Sequence, residues 1–203
     1  FIQGTDSADT ISNSGDDVTI DGGDGEDSIS NYGENVSISG GEDADTIVNT
    51  GDGVTIDAGA GADSISNTGY NVTFQYKEGD GNDLIDGFNE TSTFQVMSGS
   101  FAKLTSDGTD LFINFSDSSV ITFTDAATLG SSFNLVDSSG YAIDFGTVEV
   151  TGTENADSIV NNFNNAIINA LGGNDVIDNN RNNVTINAGQ GADSITNSGS
   201  NVT

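Results

Sequence analysis

The residues best suited to chemistry lie between Gly22 and Ser30, where the chain reads GGDGEDSIS. The order of types is a glycine pair, a spacer, a glycine, a spacer, an aspartate, and then an isoleucine between serines. It fits the nonapeptide GGxGxDxUx, in which U is a large apolar residue. Glycine takes positive φ at little steric cost, so such a loop turns tightly and directs successive carbonyl oxygens at one point. Carbonyl oxygens and a carboxylate around one point suit a hard cation such as calcium. An EF-hand does not fit, because the 12 residues counted from Asp21 end at Tyr32 and not at a glutamate.

The elements that position these groups follow from spacing. Asp9, Asp27, Asp45 and Asp63 stand 18 residues apart (27−9, 45−27, 63−45), and Asp83 follows after 20 (83−63). Ile11, Ile29, Ile47, Ile65 and Ile85 keep step with them. Between these ranks run Val18, Val36, Val54 and Val72, each followed by an inward partner, Ile20, Ile38, Ile56 or Phe74. A third rank is Asn13, Asn31, Asn49 and Asn67. Half a period is too short for a strand and a helix, and the alternation in Ser-Ile-Ser and Val-Thr-Ile puts the apolar residues on one face. The spacing therefore predicts an all-β fold, a parallel β-roll with coils about 4.8 Å apart. Setting NYGENVSIS beneath GGDGEDSIS places Val36 where Asp27 stands. One edge of the roll should bury carboxylates and the other valines, so a cation belongs on one edge only. The asparagines read as a structural ladder, each bonding its own turn or the next coil.

Charge narrows the partners. The 203 residues include 32 Asp and Glu against 3 Lys and Arg, a formal charge of −29, with no His, Cys, Pro or Trp. Such a polyanion excludes nucleic acid and anionic membrane surfaces as direct partners and favours cations. No apolar run is long enough to span a membrane, which argues against membrane insertion. The chain opens inside one motif and stops within another, so it reads as a stretch of a longer array whose export signal lies elsewhere. Without His or Cys a serine nucleophile lacks its usual base, and the carboxylates are assigned to metal, so no enzyme activity is expected.

Three segments are expected: a β-roll over residues 1–90, an aromatic-rich antiparallel β cap over 91–150, and a second β-roll over 151–203. The middle segment carries Phe94, Phe101, Phe112, Phe115, Phe123, Phe133 and Phe145, with strand-like stretches such as Leu111–Phe115 and turn signals at Asp107-Gly108 and Asp117-Ser118. A coil stack leaves a strand edge and a core end open, which a cap would cover. The roll restarts where Gly152–Asp157 repeats Gly4–Asp9 at an offset of 148 (157−9), and Asp175 and Asp193 continue at 18.

The loops GGDGEDSIS, AGAGADSIS (58–66), EGDGNDLID (78–86), LGGNDVID (171–178) and AGQGADSIT (188–196) resemble the hemolysin-type repeats of the repeats-in-toxin (RTX) family. The run from Tyr76 to Phe88 also resembles the way rolls of that family end. The resemblance covers everything outside the aromatic insert. It implies a parallel β-roll with calcium between the loops of successive coils. The ligands it implies are Asp27, Asp45, Asp63, Asp83, Asp175 and Asp193, with loop carbonyls around Gly23, Gly25, Gly41, Gly59, Gly61, Gly79, Gly81, Gly173, Gly189 and Gly191. Asp9 and Asp157 lie in GTxxAD loops without the fourth-position glycine, so the outer half of a site is expected of them. GGEDADTIV departs as well, with Asp43 in place of that glycine.

Members of that family are typically exported bacterial toxins, proteases, lipases, adhesins and surface-layer proteins that fold on meeting external calcium. The expectation is a calcium-stabilised structural or adhesive module of an exported bacterial surface protein or extracellular filament. It would be located outside the cell or on its surface, with neighbouring modules, further copies of itself, or a glycan or other surface ligand as partners. The alternative is a carbohydrate-binding or targeting module of a secreted enzyme or toxin. An ice-binding solenoid is a third reading, from the outward ranks Thr10/Ser12, Ser28/Ser30, Thr46/Val48 and Ser64/Ser66.

Overall fold

The computed structural model describes all residues, Phe1–Thr203. The first part winds through β1 (Ile2–Gln3), β2 (Thr10–Asn13), β3 (Thr19–Asp24), β4 (Ser28–Asn31), β5 (Ser37–Glu42), β6 (Thr46–Asn49), β7 (Thr55–Ala60), β8 (Ser64–Asn67), β9 (Thr73–Tyr76) and β10 (Leu84–Asp86). Odd-numbered strands pair with one another in parallel, and so do even-numbered ones. Two sheets result, with a turn at each edge of every coil. The period-two alternation appears directly as an exposed-buried-exposed-buried pattern in β2, β6 and β8.

Register follows the sequence ranks. Ile11, Ile29, Ile47, Ile65 and Ile85 stand opposite one another along one sheet. Ile2, Ile20, Ile38, Ile56, Phe74 and Phe94 do so along the other. Both rows point inward. Ile20, Ile29, Ile47 and Ile56 are fully buried, each contributing about 1.5–3 kcal/mol by leaving water.

The middle of the chain holds β11 (Thr93–Val96), β12 (Phe101–Ser106), β13 (Leu111–Phe115), β14 (Val120–Phe123), a 3₁₀ segment (Ala126–Ser132) and β15 (Leu135–Asp137). β12, β13 and β14 form the expected antiparallel unit. β11 and β15 instead extend the first sheet in parallel beyond residue 90, β11 on β9 and β15 on β11. Phe88, Phe94, Phe123 and Phe133 meet edge to face or stacked, with ring centroids 4.7–5.1 Å apart.

The last part comprises β16 (Val148–Thr151), β17 (Ser158–Asn161), β18 (Ala166–Asn169), β19 (Val176–Asn179), β20 (Val184–Asn187) and β21 (Ser194–Asn197). β14 pairs in parallel with β10 and β12 in parallel with β16. The antiparallel unit therefore splices one roll to the next in a single 11-stranded sheet, β2-β4-β6-β8-β10-β14-β13-β12-β16-β18-β20. The apolar core is likewise one cluster of 36 buried residues running from Ile11 to Val184.

The splice changes the phase of the roll. In the first roll the strands of this shared sheet start at an aspartate loop and end at an asparagine turn, as β4 does between Asp27 and Asn31. In the second, β18 starts after the Asn161–Asn165 turn and ends at the loop leading to Asp175. All these strands run parallel. The aspartate edge therefore changes flank between the rolls.

Candidate metal centre

Each aspartate loop joins a strand of one sheet to a strand of the other, and its aspartate comes just before the second strand. Asp27, Asp45 and Asp63 are each only 2% exposed and Asp175 1%. They stand in file. The Asp9 N–H donates to Asp27 Oδ1 at 2.7 Å, the Asp27 N–H to Asp45 Oδ1 at 2.8 Å, and the Asp45 N–H to Asp63 Oδ1 at 2.8 Å. The Asp63 N–H reaches Asp83 Oδ1 at 3.1 Å. In the second roll Asp157 donates to Asp175 and Asp175 to Asp193, at 3.0 and 3.1 Å.

These bonds use one oxygen of each carboxylate. The other, Oδ2 of Asp27, Asp45, Asp63 and Asp175, is buried and has no hydrogen-bond partner. A buried carboxylate oxygen without a partner carries a desolvation cost of several kcal/mol. Bare carboxylates one coil apart also repel one another. Burial, partly offset by the Asp27 N–H and reinforced by the Asp63, Asp27 and Asp43 charges, pushes Asp45 up to about 6. Burial likewise pushes Asp83 up to about 8, against the Asp63 N–H and with the Asp63 and Asp80 charges. Asp63 is raised too, again chiefly by burial.

The backbone brings main-chain oxygens to the same edge. Gly23, Gly25, Gly41, Gly59, Gly79, Gly81, Gly173, Gly189 and Gly191 all have φ between +91° and +139°, whereas Gly61 does not have positive φ. Asp43 adopts φ +77° and so takes the conformation of the glycine it replaces. Successive loops lie so close that a Cβ on Gly41 would fall on the Gly23 carbonyl oxygen. A Cβ on Gly22 would meet both Asp27 Oδ2 and the Gly40 carbonyl oxygen, so carboxylate and carbonyl oxygens of adjacent coils converge there. No three acidic side chains are placed so that they could hold one ion among them. The donor set is one carboxylate per loop plus carbonyls, all hard oxygens, and it fits calcium.

Asp9 and Asp157 differ from the rest. The Thr5 N–H and hydroxyl donate to Asp9 Oδ2 at 2.6 and 2.9 Å. The Thr153 N–H donates to Asp157 Oδ2 at 2.6 Å and its hydroxyl lies 3.1 Å from the same oxygen. These carboxylates are satisfied within their own loops. Sequence reasoning also passed over Asp80, which is 8% exposed, accepts from the Lys77 N–H at 2.6 Å and is pushed up to about 6 by burial. Lys77 forms an ion pair with Asp57 beside it. The two-residue lengthening of that coil was the signal for both.

The opposite edge is built from amides. Asn31 Nδ2 donates to Asn49 Oδ1 and Asn49 Nδ2 to Asn67 Oδ1, each at 2.8 Å, and each asparagine also bonds both ways to the glycine of its own turn. Asn31 and Asn49 are fully buried, as are Val54 and Val72. Asp17, Asn35, Gly53 and Asn71, which precede the valines, share φ between +55° and +69°, a region that Asn, Asp and Gly tolerate best. No known protein family and no curated protein matches the sequence.

Proposed function

We propose that the protein is a calcium-stabilised structural or adhesive repeat module of an exported bacterial surface protein or extracellular filament. The observation that carries this reading is the file of buried, unpartnered Oδ2 atoms at Asp27, Asp45, Asp63 and Asp175. A divalent cation between loops supplies what each oxygen lacks and turns repulsion along the edge into attraction. Modules of the extracellular type bind calcium with dissociation constants of about 10⁻⁴ to 10⁻³ M. Where calcium is scarcer the chain stays unfolded, and it folds on reaching external calcium. Calcium titration of chelator-treated protein, followed by far-ultraviolet circular dichroism, tests this. Gain of β signal at millimolar calcium supports it, and a fully folded, cooperative apo-protein refutes it.

A carbohydrate-binding module is the second reading, favoured by an open polar groove of about 430 Å³ lined by Asp144, Thr147, Asn165, Asn183 and Thr185 among others. Hydroxyl, amide and carboxylate groups there match the hydroxyls of a sugar.

A further inference from the structure

The aspartate loops fall into two kinds, distinguished by the residue at their second position. That residue has positive φ in the loops closed by Asp27, Asp45, Asp63 and Asp175, where it is Gly23 (+108°), Gly41 (+131°), Gly59 (+98°) and Leu171 (+72°). In the loops closed by Asp9 and Asp157 it is Thr5 and Thr153, and neither has positive φ. A β-branched residue at positive φ is a strong outlier, so threonine holds the loop in the other conformation. There its N–H and hydroxyl turn onto the carboxylate, at 2.6 and 2.9 Å for Thr5 and Asp9. Gly79 and Gly189, at the same position ahead of Asp83 and Asp193, have positive φ as well, and in four of these six loops, those closed by Asp27, Asp45, Asp63 and Asp175, one carboxylate oxygen is left buried and unpartnered.

We propose that Thr5 and Thr153 stand in for a cation, so that the second residue of each loop decides whether that loop takes up calcium. The proposal rests on the calcium reading above. Two donors from threonine satisfy the same oxygen that an ion satisfies elsewhere, and a loop satisfied this way has neither the need nor the open coordination for metal. In the second roll the placement has a reason. The Asp157 loop joins β16 to β17 directly after the antiparallel unit, and β16 pairs with β12 of that unit, so no aspartate loop stacks on that side to share an ion. Both threonine-closed loops still present an aspartate N–H, of Asp9 or Asp157, to the next aspartate of the file.

The test is calcium stoichiometry by calorimetry on the 203-residue chain. Converting the first loop with T5G and S7G, or the second with T153G and N155G, should raise the number of bound ions by one each. The reverse change, G23T with G25S, should lower it by one. Unchanged stoichiometry in variants that fold in calcium like the parent overturns the proposal. Anomalous scattering from crystals of the unaltered protein grown in calcium supplies a second reading that does not depend on any variant folding. No calcium peak should lie on Asp9 Oδ2 or Asp157 Oδ2, where the threonine donors already sit, and a peak on either oxygen overturns the proposal. A parent chain that binds no calcium at all defeats the functional reading itself, and this is a separate outcome from an unaltered count in the variants.

Discussion

The Asp27 N–H donates to Asp45 Oδ1, one coil away, at 2.8 Å, while Oδ2 of both residues is buried without a partner. One carboxylate thus ties two coils together with one oxygen and leaves the other for something the chain does not supply. On the proposed calcium reading, coil stacking and cation uptake are joined through the same side chain.

Replacing Asp45 by asparagine separates the two roles. The amide that results keeps an acceptor for the Asp27 N–H, removes a buried charge, and places an NH₂ near the Ala58 carbonyl oxygen. In chelator D45N should show more β signal than the parent, because the change favours the metal-free fold by about 1–3 kcal/mol. In calcium it should melt lower, with one site weakened. Circular dichroism in chelator and thermal melts in calcium check this. A variant that melts in calcium like the parent speaks against a cation at Asp45.

The other edge should be indifferent to metal. Asn49 is fully buried and makes four hydrogen bonds, with Asn31, Asn67 and twice with Gly51. Asn49→Ala leaves those partners unsatisfied and should cost about 2–4 kcal/mol. Denaturant unfolding in calcium should show this loss, with the number of bound ions unchanged.

The pH response should change sign with calcium. Asp45 and Asp83, with folded values of about 6 and about 8, and Asp63, also raised, lie above the ordinary carboxylate value. The metal-free fold therefore holds more protons than the unfolded chain between about pH 4 and pH 8. In chelator the balance between fold and unfolded chain is most favourable to the fold below about pH 4 and shifts against it as pH rises through that window. Calcium requires the ionised carboxylates, so the stabilisation it adds should grow over the same range. Circular dichroism at pH 5 and pH 8, in chelator and along a calcium titration, checks both signs.

The splice between rolls should hold the molecule as one cooperative unit. Phe123 is fully buried and meets Phe88, Phe94 and Phe133 edge to face. Phe123→Ala should cost about 3–5 kcal/mol in calcium. Calorimetry should show a single transition in the parent and its broadening or division in the variant.

The sequence made the local part of this fold legible. Ile11, Ile29 and Ile47 recur with the coil, so strand period, register and inward face all followed from one spacing. The aspartate and asparagine edges followed from the residues flanking those isoleucines. The partners of β14 and β12 were not legible. Leu84 stands opposite Thr122 and Ser106 opposite Val150, pairings set by how the aromatic cluster closes and not by any local pattern. The change of flank in the second roll depends on those pairings and was hidden with them. The closure of Asp9 by Thr5 was hidden for a different reason: the motif shows a missing glycine, but only geometry shows the Thr5 N–H and hydroxyl turned onto the carboxylate.

The most direct measurement is anomalous scattering from crystals grown in calcium. Peaks should lie between successive loops along the Asp27, Asp45, Asp63 and Asp83 edge and between Asp175 and Asp193 on the opposite flank, with none along the asparagine turns. A folded chain with no peak on the aspartate edges would contradict the account.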